Sequence, residues 1–179
     1  GTFGPDVVDG EGEWYVIDTT SFEVLLAAPS AGVDAHGVRI TPNGREFWQV
    51  NRGTGNGLRI DARTFAVLGA IDAGDSPDIL DFSPDGRIAY VTQRGPNPLS
   101  GDPHVSKGIR PGVLVIDVAT GAAITRLDPL TVTGTDGEVL NDVHGIGVRP
   151  RSGGERVVVA APVLVLASAV GTFGCHLPV

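Results

Sequence analysis

DAHGVRITPNGREFWQVNR, residues 34–52, is written a second time as SPDILDFSPDGRIAYVTQR, residues 76–94, when the two are aligned on their prolines. A weaker third copy, DVHGIGVRPRSGGERVVVAA, runs over residues 142–161. Pro42 and Pro84 lie 42 residues apart. A period of about 40 to 45 residues holding several short strands predicts β-propeller blades, each of four antiparallel strands.

Each copy follows one grammar. HGVRITP and DILDFSP alternate in period two, as suits an inner strand, and stop at the proline. Asn43-Gly44 and Asp85-Gly86 are expected to supply the positive φ angles of a two-residue hairpin, after which REFWQVNR and RIAYVTQR return as the second strand. A third strand ends in aspartate three times over: YVIDTTSFEV (15–24), LRIDARTFAV (58–67) and LVIDVATGAA (114–123). Asp18, Asp61 and Asp117 are expected to accept backbone N–H bonds in the turn that launches the fourth strand.

Composition agrees with an all-β class. The chain has 179 residues, 41% of them apolar, with 26 glycines, 13 prolines and 6% aromatic residues, which suits short strands and tight turns better than long helices. A mean hydropathy of +0.13 excludes a disordered tail protein. The formal charge of −8 argues against nucleic acid and anionic lipid, which call for a basic face. No apolar run reaches the length of a membrane-spanning helix: VVVAAPVLVLASAV (157–170) is broken by Pro162, so no membrane insertion is expected. A lone Cys175 excludes an intramolecular disulfide framework and paired thiolates for zinc or a cluster. The absence of methionine leads us to expect a processed form or a piece of a longer protein.

The repeats divide the chain into propeller units over 1–161: a partial blade at 13–28, a blade at 36–71, a blade at 78–128, and a partial blade at 144–161. Residues 162–179 read as an irregular tail, with VLVLA (163–167) a candidate extra strand. The third unit is longer than the second because RGPNPLSGDPHVSKGIRPG (94–112) is inserted between its second and third strands. Loops this long in a compact repeat are commonly functional, which makes Asp102, His104 and Lys107 candidates for a binding loop. The opening and closing half-blades are complementary, but three blades' worth is too little to close a ring. The expectation is therefore part of a longer protein; the alternatives are two copies pairing their halves into a six-bladed ring, or open edges.

The phrases PDILDFSPDGRIAYVTQR and VLVIDVATG resemble the YVTN family of β-propeller repeats, found in bacterial surface, periplasmic and lactonase-like proteins, over roughly residues 13 to 161. The resemblance implies a propeller that is seven-bladed when whole and a periplasmic or secreted setting. It is specific for the repeat and silent on activity.

The chemistry-bearing residues share one register position, six residues before each strand-ending proline: His36, Asp78 and His144. Equivalent positions on successive innermost strands lie at one height around a propeller's central channel. Two imidazoles and a carboxylate suit zinc, copper or iron, with Asp34 and Asp142 placed to orient the rings and His104 a conceivable fourth ligand. The competing reading is structural. The resemblance implies that a histidine before glycine is frequent here and bonds backbone between blades. No G-x-S-x-G elbow marks a serine hydrolase. Gly53, Gly55 and Gly57 lack the following helix of a phosphate loop, and Trp14 and Trp48 read as filler between blades. Three functions follow: a non-catalytic scaffold binding a protein or small-molecule ligand, which is the leading expectation; a metal-dependent enzyme, lactonase-like or redox; and a metal carrier.

Overall fold

The computed structural model describes residues 11–95, 108–128, 132–133, 135–137, 139–140, 143–149 and 163–167. Fourteen strands and no helix occur among them. Two strands come first, β1 (Glu11–Ile17) and β2 (Val24–Val33), followed by a four-stranded meander, β3 (Ala35–Ile40), β4 (Glu46–Asn51), β5 (Asn56–Asp61) and β6 (Val67–Asp72). A second meander comprises β7 (Pro77–Phe82), β8 (Ile88–Gln93), β9 (Gly112–Asp117) and β10 (Ala123–Leu127). Three two-stranded units complete the count: β1–β2, β11 (Val132–Thr133) with β12 (Val139–Leu140), and β13 (Gly145–Arg149) with β14 (Val163–Ala167). Every pairing is antiparallel, and the sheets do not close on themselves.

The two meanders superimpose in register as well as in sequence. Arg39 faces Trp48, which faces Arg59; in the next unit Asp81 faces Tyr90, which faces Val115. Between the first and second strands the turn differs from the expected two-residue hairpin. The Gly44 amide bonds the Thr41 carbonyl and the Gly86 amide the Ser83 carbonyl, each at 2.8 Å, closing a turn with proline at its second position. Only the glycines take positive φ, +70° at Gly44 and +71° at Gly86. Proline at the second position favours such a turn, and the left-handed glycine after it rejoins the strands. Asn43 and Asp85 serve instead as side-chain acceptors: Asn43 takes the Thr41 hydroxyl and the Arg45 amide, and Asp85 the Ser83 hydroxyl and the Arg87 amide. The Ser83 hydroxyl first, then the Arg87 guanidinium, whose Nε donates to Asp85 Oδ2 at 2.7 Å, and the Arg87 amide hold the Asp85 carboxyl down to about 2.

The aspartate turns form as expected. Asp18 Oδ1 accepts the amides of Thr20 and Ser21, Asp61 those of Arg63 and Thr64, and Asp117 that of Thr120. Each turn then passes through a left-handed residue, Phe22, Phe65 or Gly121.

Apolar side chains fill the spaces between successive sheets. Trp14 packs with Leu58 and Ile60; Trp48, Val50 and Ile71 pack with Leu80, Phe82 and Ile116; Tyr90, Val113 and Val115 pack with Val143 and Ile146. Both tryptophans are buried between sheets, edge-on to Phe47 and Phe82 respectively. The last unit departs from the repeat. β13 pairs with Val163–Ala167, so VLVLA stands where the second strand of a blade belongs, the place that the repeat gives to residues 155–161. Both stretches are runs of β-branched and aliphatic residues, so hydrophobic pattern alone does not choose between them. Residues 150–162, like the insertion residues 96–107, lie outside the described residues.

Candidate functional site

The innermost strands β3, β7 and β13 lie side by side, one from each successive unit, and bring His36, Asp78 and His144 together. Asp78 is the centre of the cluster and is fully buried (0% exposed), whereas the imidazoles of His36 and His144 are 26% and 27% exposed. His36 Nε2 lies 2.9 Å from Asp78 Oδ1, and His144 Nδ1 lies 2.7 Å from Oδ2. The second contact is at ion-pair distance, and Oδ2 has no hydrogen-bond partner among the described residues. Arg52, just past the end of β4, adds a third basic group: Nη1 donates to Asp78 Oδ1 at 3.0 Å, while Nε donates to Asp34 Oδ2 at 2.8 Å.

Burial is the largest influence on the Asp78 carboxyl and pushes its pKa upward. The contact with His36, together with the charges of His36, His144 and Arg52, outweighs burial and leaves the group below its ordinary value. Asp78 is an anion whose desolvation is offset by three basic neighbours.

Glycine after the histidine has a geometric cause. A Cβ on Gly37 would collide with the backbone carbonyl of Asp78, so only glycine lets β3 approach β7 this closely. Three residues further along β7, Asp81 repeats the device. Its Oδ1 accepts Arg39 Nε from β3 at 3.0 Å and its Oδ2 the Val148 amide of β13 at 2.8 Å. Thr92 extends the ties, donating to the His144 carbonyl at 2.8 Å. Two carboxylates on one strand thus reach both flanking inner strands.

Asp34, expected to orient His36, grips Arg52, and the carboxylate that faces the His36 ring is Asp78. Among the described residues no group of three His, Cys, Asp or Glu side chains is disposed to hold a metal ion. Asp78 lies between the two rings, with its oxygens turned on them. Asp142, Asp102, His104 and Lys107 fall outside the described residues. The exit of their loop is fixed: Asp75 Oδ2 accepts the amides of Ile109 at 2.5 Å and Arg110 at 2.8 Å. Arg52 and Gly37 escaped the sequence reading. A signal for the first was present, because arginine stands ten residues after the proline in both strong copies, at 52 and 94.

No protein-family model matches the chain, and no curated protein sequence matches it. Solved structures do. The β-propeller protein dihydro-heme d1 dehydrogenase NirN, in complex with DHE, matches with a TM-score of 0.51 at 18% identity, over 88% of this chain and 33% of its own. A functionally unknown protein from Desulfotomaculum acetoxidans DSM 771 matches with a TM-score of 0.51 at 13% identity, over 64% of this chain and 32% of its own. The chain therefore spans about a third of the length of these neighbours. At such identities the likeness speaks for the fold alone. With the open four-stranded sheets it makes this chain an all-β protein built of β-propeller blades.

Proposed function

We propose that the chain is a non-catalytic β-propeller scaffold that binds a protein or small-molecule ligand, and that His36, Asp78 and His144 clasp its blades together. The observation that carries this reading is the buried Asp78 carboxylate, whose two oxygens are engaged by His36, His144 and Arg52. A carboxylate ligand for a metal, or a general base, needs an oxygen turned to the metal or substrate; here the carboxylate serves its neighbours. The net charge of −8 favours a neutral or cationic ligand over a polyanion. The YVTN-like repeats favour an extracytoplasmic setting.

A second reading draws on the same geometry. Each imidazole turns one ring nitrogen to a carboxylate, the arrangement by which proteins orient metal-binding histidines, so His36 and His144 are its ligands for zinc, copper or iron. The bound metal would supply Lewis-acid or redox chemistry to a lactonase-like or redox enzyme, or would simply be carried.

One experiment separates the readings. Purified protein is loaded with zinc and, separately, with copper, desalted and subjected to elemental analysis, alongside the double variant His36→Ala/His144→Ala. The scaffold reading predicts less than about a tenth of an equivalent of metal in the parent protein, and a double variant that unfolds at lower urea even in chelator. A full equivalent of metal, lost in a double variant of unchanged stability, would overturn it in favour of the metal site.

A further inference from the structure

Two asparagines, Asn43 and Asn56, are followed directly by glycine. In an Asn-Gly pair no side chain hinders the glycine nitrogen on its way to the asparagine carboxamide, so such pairs cyclise most readily. The two pairs occupy opposite settings. Asn43-Gly44 lies in the exposed turn between β3 and β4, whereas Asn56-Gly57 opens β5, which runs between β4 and β6.

At Asn56 the reacting groups are held apart. Its Nδ2 donates to the Ala31 carbonyl at 2.8 Å, and its Oδ1 accepts Asn51 Nδ2 and the Thr54 hydroxyl. Gly57 is buried and faces Val50 on one side and Ile71 on the other, so its nitrogen cannot turn toward the carboxamide without opening the sheet.

Asn43 is disposed differently. Its Oδ1 accepts the Thr41 hydroxyl at 2.8 Å and the Arg45 amide at 3.0 Å, two donors placed to stabilise the oxyanion that forms when Cγ is attacked. Its Nδ2, the leaving group, has no acceptor among the described residues. The Gly44 amide is restrained by a bond to the Thr41 carbonyl at 2.8 Å, with open space around its Cα. Opening one exposed turn costs far less than opening the middle of a sheet.

The next blade shows what the turn can hold. The equivalent of Asn43 there is Asp85, whose carboxylate takes the Ser83 hydroxyl, the Arg87 amide and Arg87 Nε. Thr41 and Arg45 stand in the places of Ser83 and Arg87. The two turns are also neighbours: a Cβ on Gly86 would lie 3.6 Å from Pro42 Cδ.

We propose that Asn43 is a site of self-modification, deamidating to aspartate in the folded protein, and that its turn accepts the new carboxylate as the next turn accepts Asp85. The Gly44 nitrogen gives its proton to solvent base and bonds to Asn43 Cγ; the Cγ–Nδ2 bond breaks, and Nδ2 takes a proton from water and leaves as ammonia. Water then opens the cyclic imide. Cleavage at Cγ gives aspartate with its ordinary peptide bond, and cleavage at the backbone carbonyl gives the isoaspartyl form. Carboxamide and water become carboxylic acid and ammonia, with no change of oxidation state. Each conversion adds a negative charge to the rim where these turns lie, with Arg45 in the place from which Arg87 meets Asp85. The reaction is independent of the roles assigned to His36, Asp78 and His144.

The test uses the full 179-residue chain. It is incubated at mildly alkaline pH, folded and in parallel unfolded in guanidinium chloride, and its peptides are compared by mass spectrometry with those of Asn43→Asp. Folded protein should convert Asn43 at least about tenfold faster than Asn56, whereas the unfolded chain should convert both at similar rates. The Asn43→Asp variant should unfold at a urea concentration no lower than the parent's. Asn43 left intact in folded protein while the unfolded chain converts it, or equal rates at the two asparagines in folded protein, would overturn the site. A lower urea midpoint for Asn43→Asp would overturn the fit of the product to the turn.

Discussion

Asp78 contributes most by what it prevents. Without its carboxylate the two imidazoles would lose the anion between them, and Arg52, itself almost wholly buried, would keep Asp34 but lose its bond to Asp78. Breaking a buried ionic cluster at one member costs about 3 to 5 kcal/mol, so Asp78→Asn should lower unfolding stability by about 3 kcal/mol in urea titrations at pH 7. The pH dependence has a definite sign. The folded pKa of Asp78 lies below its unfolded value, so the ionised cluster stabilises the fold above the ordinary carboxylate range and that stability is lost as pH falls through the folded value. The gap between parent and Asp78→Asn should therefore be full above about pH 4 and narrow below it. A gap that stayed constant down to pH 2 would assign the cost to packing. Sequence alone could place His36, Asp78 and His144 at one height, because a repeat equates positions. It could not foresee that the middle one is a carboxylate enclosed by the other two, since that depends on how closely β3 and β13 approach β7.

At the scale of single elements, the aspartate turns show strain and its relief in the same protein. The turn after each third strand needs a left-handed residue, supplied by Gly121 in one copy but by Phe22 and Phe65 in the others, at φ +59° and +61°. Phe65 packs beside Leu58 and Ile60, whereas Phe22 is 80% exposed. The left-handed conformation costs a side-chain-bearing residue about 1 to 2 kcal/mol, partly offset by the freedom that glycine gains when unfolded. Phe22→Gly should therefore stabilise by about 0.5 to 1 kcal/mol in thermal unfolding, and Gly44→Ala, at φ +70° in open space, should destabilise by about 1 kcal/mol. The opposite order would mean that the turns are not held in this geometry. These elements were legible because each signal is local: an aspartate two or three residues from the amide it accepts, a proline before a glycine. The hairpin was misjudged only in detail, since an Asn-Gly pair fits more than one turn and the preceding proline decides which. The short β11–β12 pair went unread, although Asp136-Gly137 between its strands is itself a turn signal, with Gly137 at φ +84°.

Over the whole molecule, the repeat carries the architecture and the departures from it carry what is particular to this chain. Blade packing was readable because one apolar pair on the second strand, Phe47 with Trp48, recurs at the same positions as Ala89 with Tyr90. The partner of β13 was not, because two similar apolar segments compete for one place. The clasp belongs to this scale too, for it draws on three successive units: His36 and Arg52 from one, Asp78 from the next and His144 from the last. If one carboxylate holds them together, the contributions of the two histidines must depend on it. The direct measurement is a stability cycle, at fixed protein concentration and in chelator, among the parent protein, His36→Ala/His144→Ala, Asp78→Asn and the variant combining all three changes. The account predicts that deleting the imidazoles destabilises the parent but adds nothing once Asp78 is neutralised. Full additivity of the two losses would contradict it.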